Sequence, residues 1–309
     1  MSIEQAAIDY IELRRGMGYQ LKRAGRWVPE FGRLVDAEGG DDAWVTRKLA
    51  IRWATREGQT SGPAAAKRLG MVRPFARYLS ALDSRTQIPG IELLPYSKIR
   101  PQPYLYSEAD IASLLKAADA LSPSFCARTH STLLGLLAAT GMRVGETLRL
   151  DGADVDLERG RITIRASKFG KSRINLLHET TVTALQQYAA QRDRRFTRPH
   201  SDAFFVSLVG RRRIYQNLHS LFHDQLIPTA GLAERSPRRP RIHDLRHTFA
   251  VQTLLRWYRT GDDVAARLPS LSTWLGHTCP SNTYWYLSAT PELMECAVDR
   301  LERLWEGRA

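Results

Sequence analysis

Little in this sequence can staple the chain covalently or place it in a bilayer. Its 3 cysteines, Cys126, Cys279 and Cys296, lie far apart and make no CxxC pair. An odd, scattered set excludes a disulfide framework and suits a reducing, cytoplasmic compartment. Long apolar runs are missing too. The longest, Leu133 to Ala139, is far too short to span hydrocarbon. The opening Met-Ser-Ile-Glu-Gln has no basic region followed by an apolar core, so it is not a signal peptide. Internal repeats and low-complexity tracts are absent. Acidic residues are in deficit, 32 against 45 Lys and Arg, which leaves a net charge of +13 and a pI near 10.0. Such an imbalance points to a polyanion, above all nucleic acid, because neutralising phosphates releases counterions. An anionic membrane surface fits less well, since no long basic amphipathic helix is present.

What is present is ordinary for a globular chain, 43% hydrophobic and 25% charged, and 309 residues suffice for two domains. Residues 1–83 read as helices. Ile3, Ala7, Ile8, Ile11 and Leu13 share one face; Trp27, Phe31, Leu34 and Val35 mark a second helix that ends before Gly39-Gly40. A third is expected from Trp44 to Arg56 and a fourth from Pro63 to Leu82, kinked or split at Pro74. Basic residues on these helices, among them Arg23, Arg26, Lys67, Arg68, Arg73 and Arg77, read as a DNA-facing surface. Residues 84–106 carry Pro89, Pro95, Pro101 and Pro103 with little periodicity and read as a linker between this domain and a second one, 107–309.

The second domain opens on Ser107-Glu-Ala-Asp110, a capping-box variant. A more apolar helix, Thr129 to Ala139, should be central in the core and stop at Gly141, with a restart near Glu146. The period then changes to two. Arg161-Ile-Thr-Ile-Arg165 and Arg173-Ile-Asn-Leu176 predict a β-hairpin with Lys168 and Lys171 beside its tip. Helices return at 179–194, 215–226, 262–275 and 291–305, with a short helical piece at Ser281–Leu287. Two arginine clusters, 192–198 and 211–213, read as phosphate contacts. The fold class is therefore mainly α with a small antiparallel β-sheet (α+β).

The stretch around which the second domain is organised is Arg241-Ile-His-Asp-Leu-Arg-His-Thr-Phe249. Asp244 falls in the first turn of a helix, where a negative charge suits the dipole. His243 and Arg246 are i and i+3, so an imidazole and a guanidinium fork project together, a pairing suited to a phosphate oxygen. Other polar candidates are Arg143 between two glycines, Lys168, His277 after Gly276, and Tyr286. Tyr284 competes with Tyr286, but residues i and i+2 lie about 200° apart on a helix, so only one can face a site.

In order and context these segments resemble the tyrosine recombinase family of site-specific DNA recombinases and phage-type integrases. Carrying the resemblance are Thr140-Gly-Met-Arg-Val-Gly-Glu146, Ser167-Lys-Phe-Gly-Lys-Ser-Arg173, His243-Asp-Leu-Arg-His247, Leu275-Gly-His277 and, nine positions on, Tyr286. It covers about residues 107–290 and implies a helical core-binding domain ahead of a catalytic one. Tyr286 is then the nucleophile that forms a 3′-phosphotyrosine, with Arg143 and Arg246 clamping the phosphate. Lys168, in preference to Lys171, protonates the leaving 5′-oxygen. His243 assists proton transfer from the tyrosine, and His277 donates to the phosphate. Also implied are a specific double-stranded DNA site, a homotetramer working through a Holliday junction, accessory recombination proteins, a nucleoid-associated cytoplasmic location and no cofactor or metal. The segment Thr278–Trp285 departs from the family's commoner polar run before the nucleophile.

Three other readings are weaker. His243 and His247 sit at i, i+4 like the two ligands of a zincin, yet Asp stands where Glu is needed and no third ligand is evident. A DNA-binding homologue without catalysis would not need all six positions filled. A type IB topoisomerase shares the chemistry, and relaxation of plasmid lacking a specific site would set it apart.

Overall fold

The computed structural model describes residues 2–56, 60–95, 102–165, 172–198, 200–234, 239–277, 279, 281–288 and 290–306. The chain divides into two compact units, 1–101 and 102–309. It is mainly helical, with one three-stranded antiparallel sheet.

In the first unit, α1 (Ile3–Gly16), α2 (Ala24–Gly39), α3 (Arg47–Thr55) and α4 (Gly62–Leu79) enclose a core built on Val28, Phe31, Val35, Leu69, Phe75 and Leu79. The start of α1 is tied to α2: Asp36 accepts from the Ile3 and Glu4 amides at 2.7 and 2.9 Å. That satisfies two N–H groups which no helical partner can reach. Pro74, expected to kink or split the fourth helix, lies inside an unbroken α4. Leu69, Val72, Phe75, Ala76 and Leu79 are all buried there. Each fully buried large side chain contributes about 1.5–3 kcal/mol, which together exceeds the roughly 3 kcal/mol cost of an interior proline. Two arginines of the expected DNA-facing set turn inward. Arg68 is buried, stacks on Trp53 at 4.0 Å and donates to the Trp53 carbonyl. Arg73 donates to the carbonyls of Pro89 and Gly90. Those bonds, with Gln87 N on Val45 O, lay the beginning of the expected linker against the first unit.

The second unit begins with a segment stitched to its centre. Tyr106 N donates to Thr248 Oγ1 and its hydroxyl to Arg241 O, at 3.0 and 3.1 Å. The predicted capping box is formed, Ser107 with Asp110, at the start of α5 (Glu108–Asp119). Next, α6 (Ser124–Thr140) ends on left-handed Gly141, φ 62°, and α7 (Val144–Thr147) follows. Strands β2 (Arg161–Ile164) and β3 (Arg173–Leu176) pair antiparallel, Ile164 opposite Arg173. The sheet also has β1 (Val155–Asp156), paired to β2. With only two residues, β1 shows no alternation that sequence could reveal. The hairpin tip, with Lys168 and Lys171, lies outside the described residues.

Beyond the sheet come α8 (Glu179–Arg195), α9 (Tyr215–Leu221), one π-turn at Phe222–Leu226 and α10 (Ile227–Thr229). The expected single helix over 215–226 thus changes pitch at Phe222. The arginine clusters are partly structural: Arg192 donates to Phe204 O, Arg212 pairs with Asp151, and Arg213 meets His130. After them, α11 (Asp244–Arg259), α12 (Val264–Leu275), α13 (Ser281–Tyr284), a 3₁₀ turn (Trp285–Ser288) and α14 (Pro291–Glu306) build a second core from Val251, Leu254, Leu268, Leu271, Leu275 and Leu293. Among the described residues no helix is long and apolar enough to cross a membrane.

At Gly32 a Cβ would meet backbone of α1, Glu4 Cα at 2.7 Å and Ile3 O at 2.8 Å. Gly32→Ala is expected to force α1 from α2 and destabilise by about 1–3 kcal/mol, the usual cost of overpacking. At Gly70 a Cβ meets nothing within 4 Å, so Gly70→Ala should be neutral or stabilising by up to about 1 kcal/mol. Urea denaturation of the two variants checks the contrast.

Candidate active site

The site is assembled where the carboxyl ends of two helices meet the amino end of a third. Gly141 caps α6 and Gly276 caps α12, both left-handed. Their last carbonyls have no partner within their own helix. Arg246, in the first turn of α11, fills that need: it donates to Gly141 O at 2.7 Å and Leu275 O at 2.6 Å. Its side chain is only 2% exposed. Burial, then the neighbouring Arg143 charge, push the guanidinium down to about 10, so it stays protonated at neutral pH. The negative ends of two helix dipoles make that buried cation tolerable. Gly141 is also a close approach, since a Cβ there would meet Phe249 Cδ1 at 2.5 Å.

Arg143 stands at the start of α7 and donates to Gly276 O at 3.0 Å. Its other nitrogen meets Glu146 at 2.7 Å. Glu146 is the buried centre of this arrangement. It also pairs with Arg173 at 2.8 Å, and Arg173 donates through Nε to Trp274 O. Burial alone would raise the Glu146 carboxyl, but the bonds from Arg173 and Arg143 outweigh it and hold the group at about 2. One carboxylate thereby ties the turn after α6, strand β3 and the end of α12 together.

The imidazoles and the phenol lie beside this clamp. His243 is the N-cap of α11, with its ring 4.9 Å from that of His247 and nearly perpendicular. Packing around it, then the Arg246 charge, push His243 down to about 4, although the residue keeps an exposed side. His247, half-buried, is also pushed to about 4, by burial and then by His243. Both rings are therefore neutral at pH 7. Tyr286, in the 3₁₀ turn, is 2% exposed. Its hydroxyl lies 3.1 Å from His247 Nδ1, and its ring stacks on His277 with 14° between planes. His277 is oriented by a 2.7 Å bond between Nδ1 and the buried Thr283 hydroxyl. Tyr284 is 55% exposed, so of the two tyrosines Tyr286 is the one in the cluster.

The structure thus brings together Arg143, His243, Arg246, His277 and Tyr286. Lys168 lies outside the described residues. Sequence reasoning gave no site role to Glu146 or Arg173, and weighed His247 only as a metal ligand. Glu146 carried a local signal, its i, i+3 spacing from Arg143. Arg173 carried none, because its partners are 27 and 101 positions away.

Comparisons with known proteins give the family and the fold. The Phage integrase family is matched over residues 105–292. The protein y4rB of Sinorhizobium fredii, whose name proposes an integrase/recombinase, is 41% identical over 99% of both chains. Tyrosine recombinase XerD of Listeria innocua is 28% identical over 78% of this chain and 76% of its own. Among solved structures, the Tn1549 transposon integrase in complex with transposon right end DNA superposes with a TM-score of 0.69 over 98% of this chain and 99% of that one. At 17% identity this is a likeness of fold.

Because Glu146 is ionised far below its ordinary 4.5, its stabilisation is fully present above about pH 4.5 and is lost as pH falls toward 2. Glu146→Gln leaves Arg173 without its buried counter-charge and should cost about 3–5 kcal/mol at pH 7. In urea titrations the gap to wild type should narrow steadily below pH 4.5. A gap independent of pH would count against the ionised carboxylate as its source.

Proposed function

The chain belongs to the phage integrase family, and from that premise we propose that it is a tyrosine recombinase that cuts and rejoins duplex DNA through a covalent bond to Tyr286. One observation carries this reading: a buried tyrosine holds its hydroxyl in an imidazole cluster beside two arginines anchored on helix carboxyl ends. Tyr286 Oη attacks a phosphodiester phosphorus. The Oη–P bond forms, the bond to the 5′-oxygen breaks, and a 3′-phosphotyrosine and a 5′-hydroxyl result. A 5′-hydroxyl from the partner strand then attacks the phosphotyrosine and releases the enzyme. Covalent catalysis divides strand exchange into two transesterifications of equal bond type, so the scheme consumes no nucleotide.

Each side chain has a part matched to its chemistry. Arg143 and Arg246 bind the non-bridging oxygens as charge builds in the pentavalent transition state. A preorganised donor of this kind contributes about 2.7–4 kcal/mol. Lys168 protonates the leaving 5′-oxygen, His243 assists proton transfer, and His277 donates to the phosphate. No step uses a metal, because the guanidinium groups supply the positive charge. Exposed basic residues of the first unit, among them Lys22, Arg23, Arg26, Lys67 and Arg77, supply sequence-independent contacts to the DNA backbone.

Exchange between two duplexes needs four cuts, hence four protomers acting in pairs through a Holliday junction. The last helix suits contact between them. Leu293 anchors α14 in the core shared with α11, while Met294, Val298 and Leu301 stand about half exposed at i, i+4 and i+7. Such a stripe fits a neighbouring protomer's groove.

Three outcomes follow from this scheme. Tyr286→Phe should abolish the covalent adduct on a suicide DNA substrate while binding stays near wild type, and Tyr284→Phe should keep the adduct. Cleavage should proceed in EDTA without nucleotide, whereas strict dependence on added Mg²⁺ would sink the mechanism. Charging the exposed stripe (Met294→Glu with Val298→Glu) should leave binding to a single half-site intact and remove cooperative filling of two half-sites in gel-shift titrations. Unchanged cooperativity would place the protomer contact elsewhere.

A further inference from the structure

His247 is in contact with the Tyr286 hydroxyl, and the scheme above leaves it without a task. We propose that His247 is a further catalytic residue, the base that takes the phenolic proton as Tyr286 attacks phosphorus. This rests on the reading of Tyr286 as nucleophile.

Geometry separates the two histidines of α11. The ring of His247 lies 5.5 Å from that of Tyr286, with Nδ1 3.1 Å from Oη. His243, one turn earlier, stands on the arginine side of the cluster. Its charged neighbours are Arg246, Asp244, Arg241 and Arg143. Around His247 the charged and titratable groups are His243, Asp244, Arg241 and Arg246. Burial, then the His243 ring, and lastly two guanidiniums against one carboxylate favour an uncharged imidazole before attack. A neutral ring protonated on Nε2 offers Nδ1 as an acceptor. The phenol then donates to it and keeps its oxygen lone pairs for phosphorus. Because His247 follows Arg246 directly, one rigid helical turn would set the base and the phosphate clamp at a constant separation. Trp285 packs on the imidazole at 5.4 Å and on Tyr286 at 5.2 Å, which restrains both rings.

The step balances. As the Oη–P bond forms and the P–O5′ bond breaks, the phenolic proton moves to His247 Nδ1, and a separate acid protonates O5′. In the rejoining step the His247 imidazolium returns its proton to the departing phenolate. His243, its ring 4.9 Å from that of His247, keeps its assisting part in that transfer.

The test uses the full chain on suicide half-site DNA, with adduct formation, half-site binding and melting temperature read together. His247→Ala should bind normally and form adduct about 10²–10⁴-fold more slowly, the usual contribution of a positioned base. His247→Asn, whose amide can accept from the phenol but cannot take up its proton at neutral pH, should recover only a small part of that loss. If the alanine variant fails to fold, the asparagine variant decides, and a wild-type rate in it overturns the proposal. Two substrates of altered chemistry separate a base from a packing residue. DNA with a bridging 5′-sulfur at the cut, which departs without a proton, should relieve Lys168→Ala but leave the His247→Ala defect in place. Replacing Tyr286 by 3-fluorotyrosine, a more acidic phenol, should restore part of the rate lost in His247→Ala. Relief by sulfur equal to that of Lys168→Ala, or no recovery with the fluorinated phenol, overturns the assignment. Adduct formed by Tyr286→Phe would instead overturn the nucleophile reading. A dead Tyr286→Phe beside a fully active His247→Ala would overturn the His247 assignment alone.

Discussion

Three guanidinium groups converge in a largely water-free corner of the second unit, and the buried carboxylate of Glu146 is what permits it. Arg143 and Arg173 both bond to it, while Arg246 lies close by on helix carbonyls. Two unit charges 4 Å apart interact by about 4 kcal/mol at the effective dielectric near a protein surface. Uncompensated, repulsion of that size would scatter the arginines. Glu146 offsets it from one side, and the carboxyl ends of α6 and α12 offset it from the other. Removing the carboxylate would loosen β3, the turn after α6 and the cap of α12 together, because Arg173 and Arg143 reach all three.

The same arrangement sets the protonation of its neighbours. A site rich in fixed positive charge and poor in water disfavours any further cation, so His243 and His247 are both held near 4. Neutral imidazoles can accept protons, whereas imidazolium rings would only add to the clamp. Electrostatics that suits an incoming phosphate therefore also prepares acceptors beside the phenol. Burial is the larger cause of these protonation states, and the neighbouring positive charges act in the same direction.

Features with a local cause were legible in the chain. The capping box of Ser107 and Asp110, the stop at Gly141, the period-two segments of β2 and β3 and the i, i+3 pair His243 and Arg246 each depend on residues within a few positions. Features set by direction or distance were not. Arg68, Arg73, Arg212 and Arg213 read as surface charge, since a sequence shows the sign of a side chain and not where it points. Pro74 read as a break because its lost hydrogen bond is local, while the packing that overrides it comes from α1, α2 and α3. Strand β1 is too short to carry a period. His247 looked like half of a metal site, its i, i+4 spacing from His243 being visible and its contact with Tyr286, 39 positions away, not.

By itself, the sequence determined the fold class and the candidates for chemistry, because periodicity, capping and charge imbalance act over one or two turns. Its resemblance to the tyrosine recombinases made Tyr286, nine positions after His277, the expected nucleophile, and helical geometry kept Tyr284 from facing the same site. Only the tertiary structure decided which tyrosine is buried against an imidazole, which arginines are anchored inward and which carboxylate holds them. Apart from the i, i+3 pair of Arg143 and Glu146, those are contacts between segments tens to more than a hundred residues apart. Their partners are chosen by how α6, α11 and α12 pack, and no spacing along the chain records it.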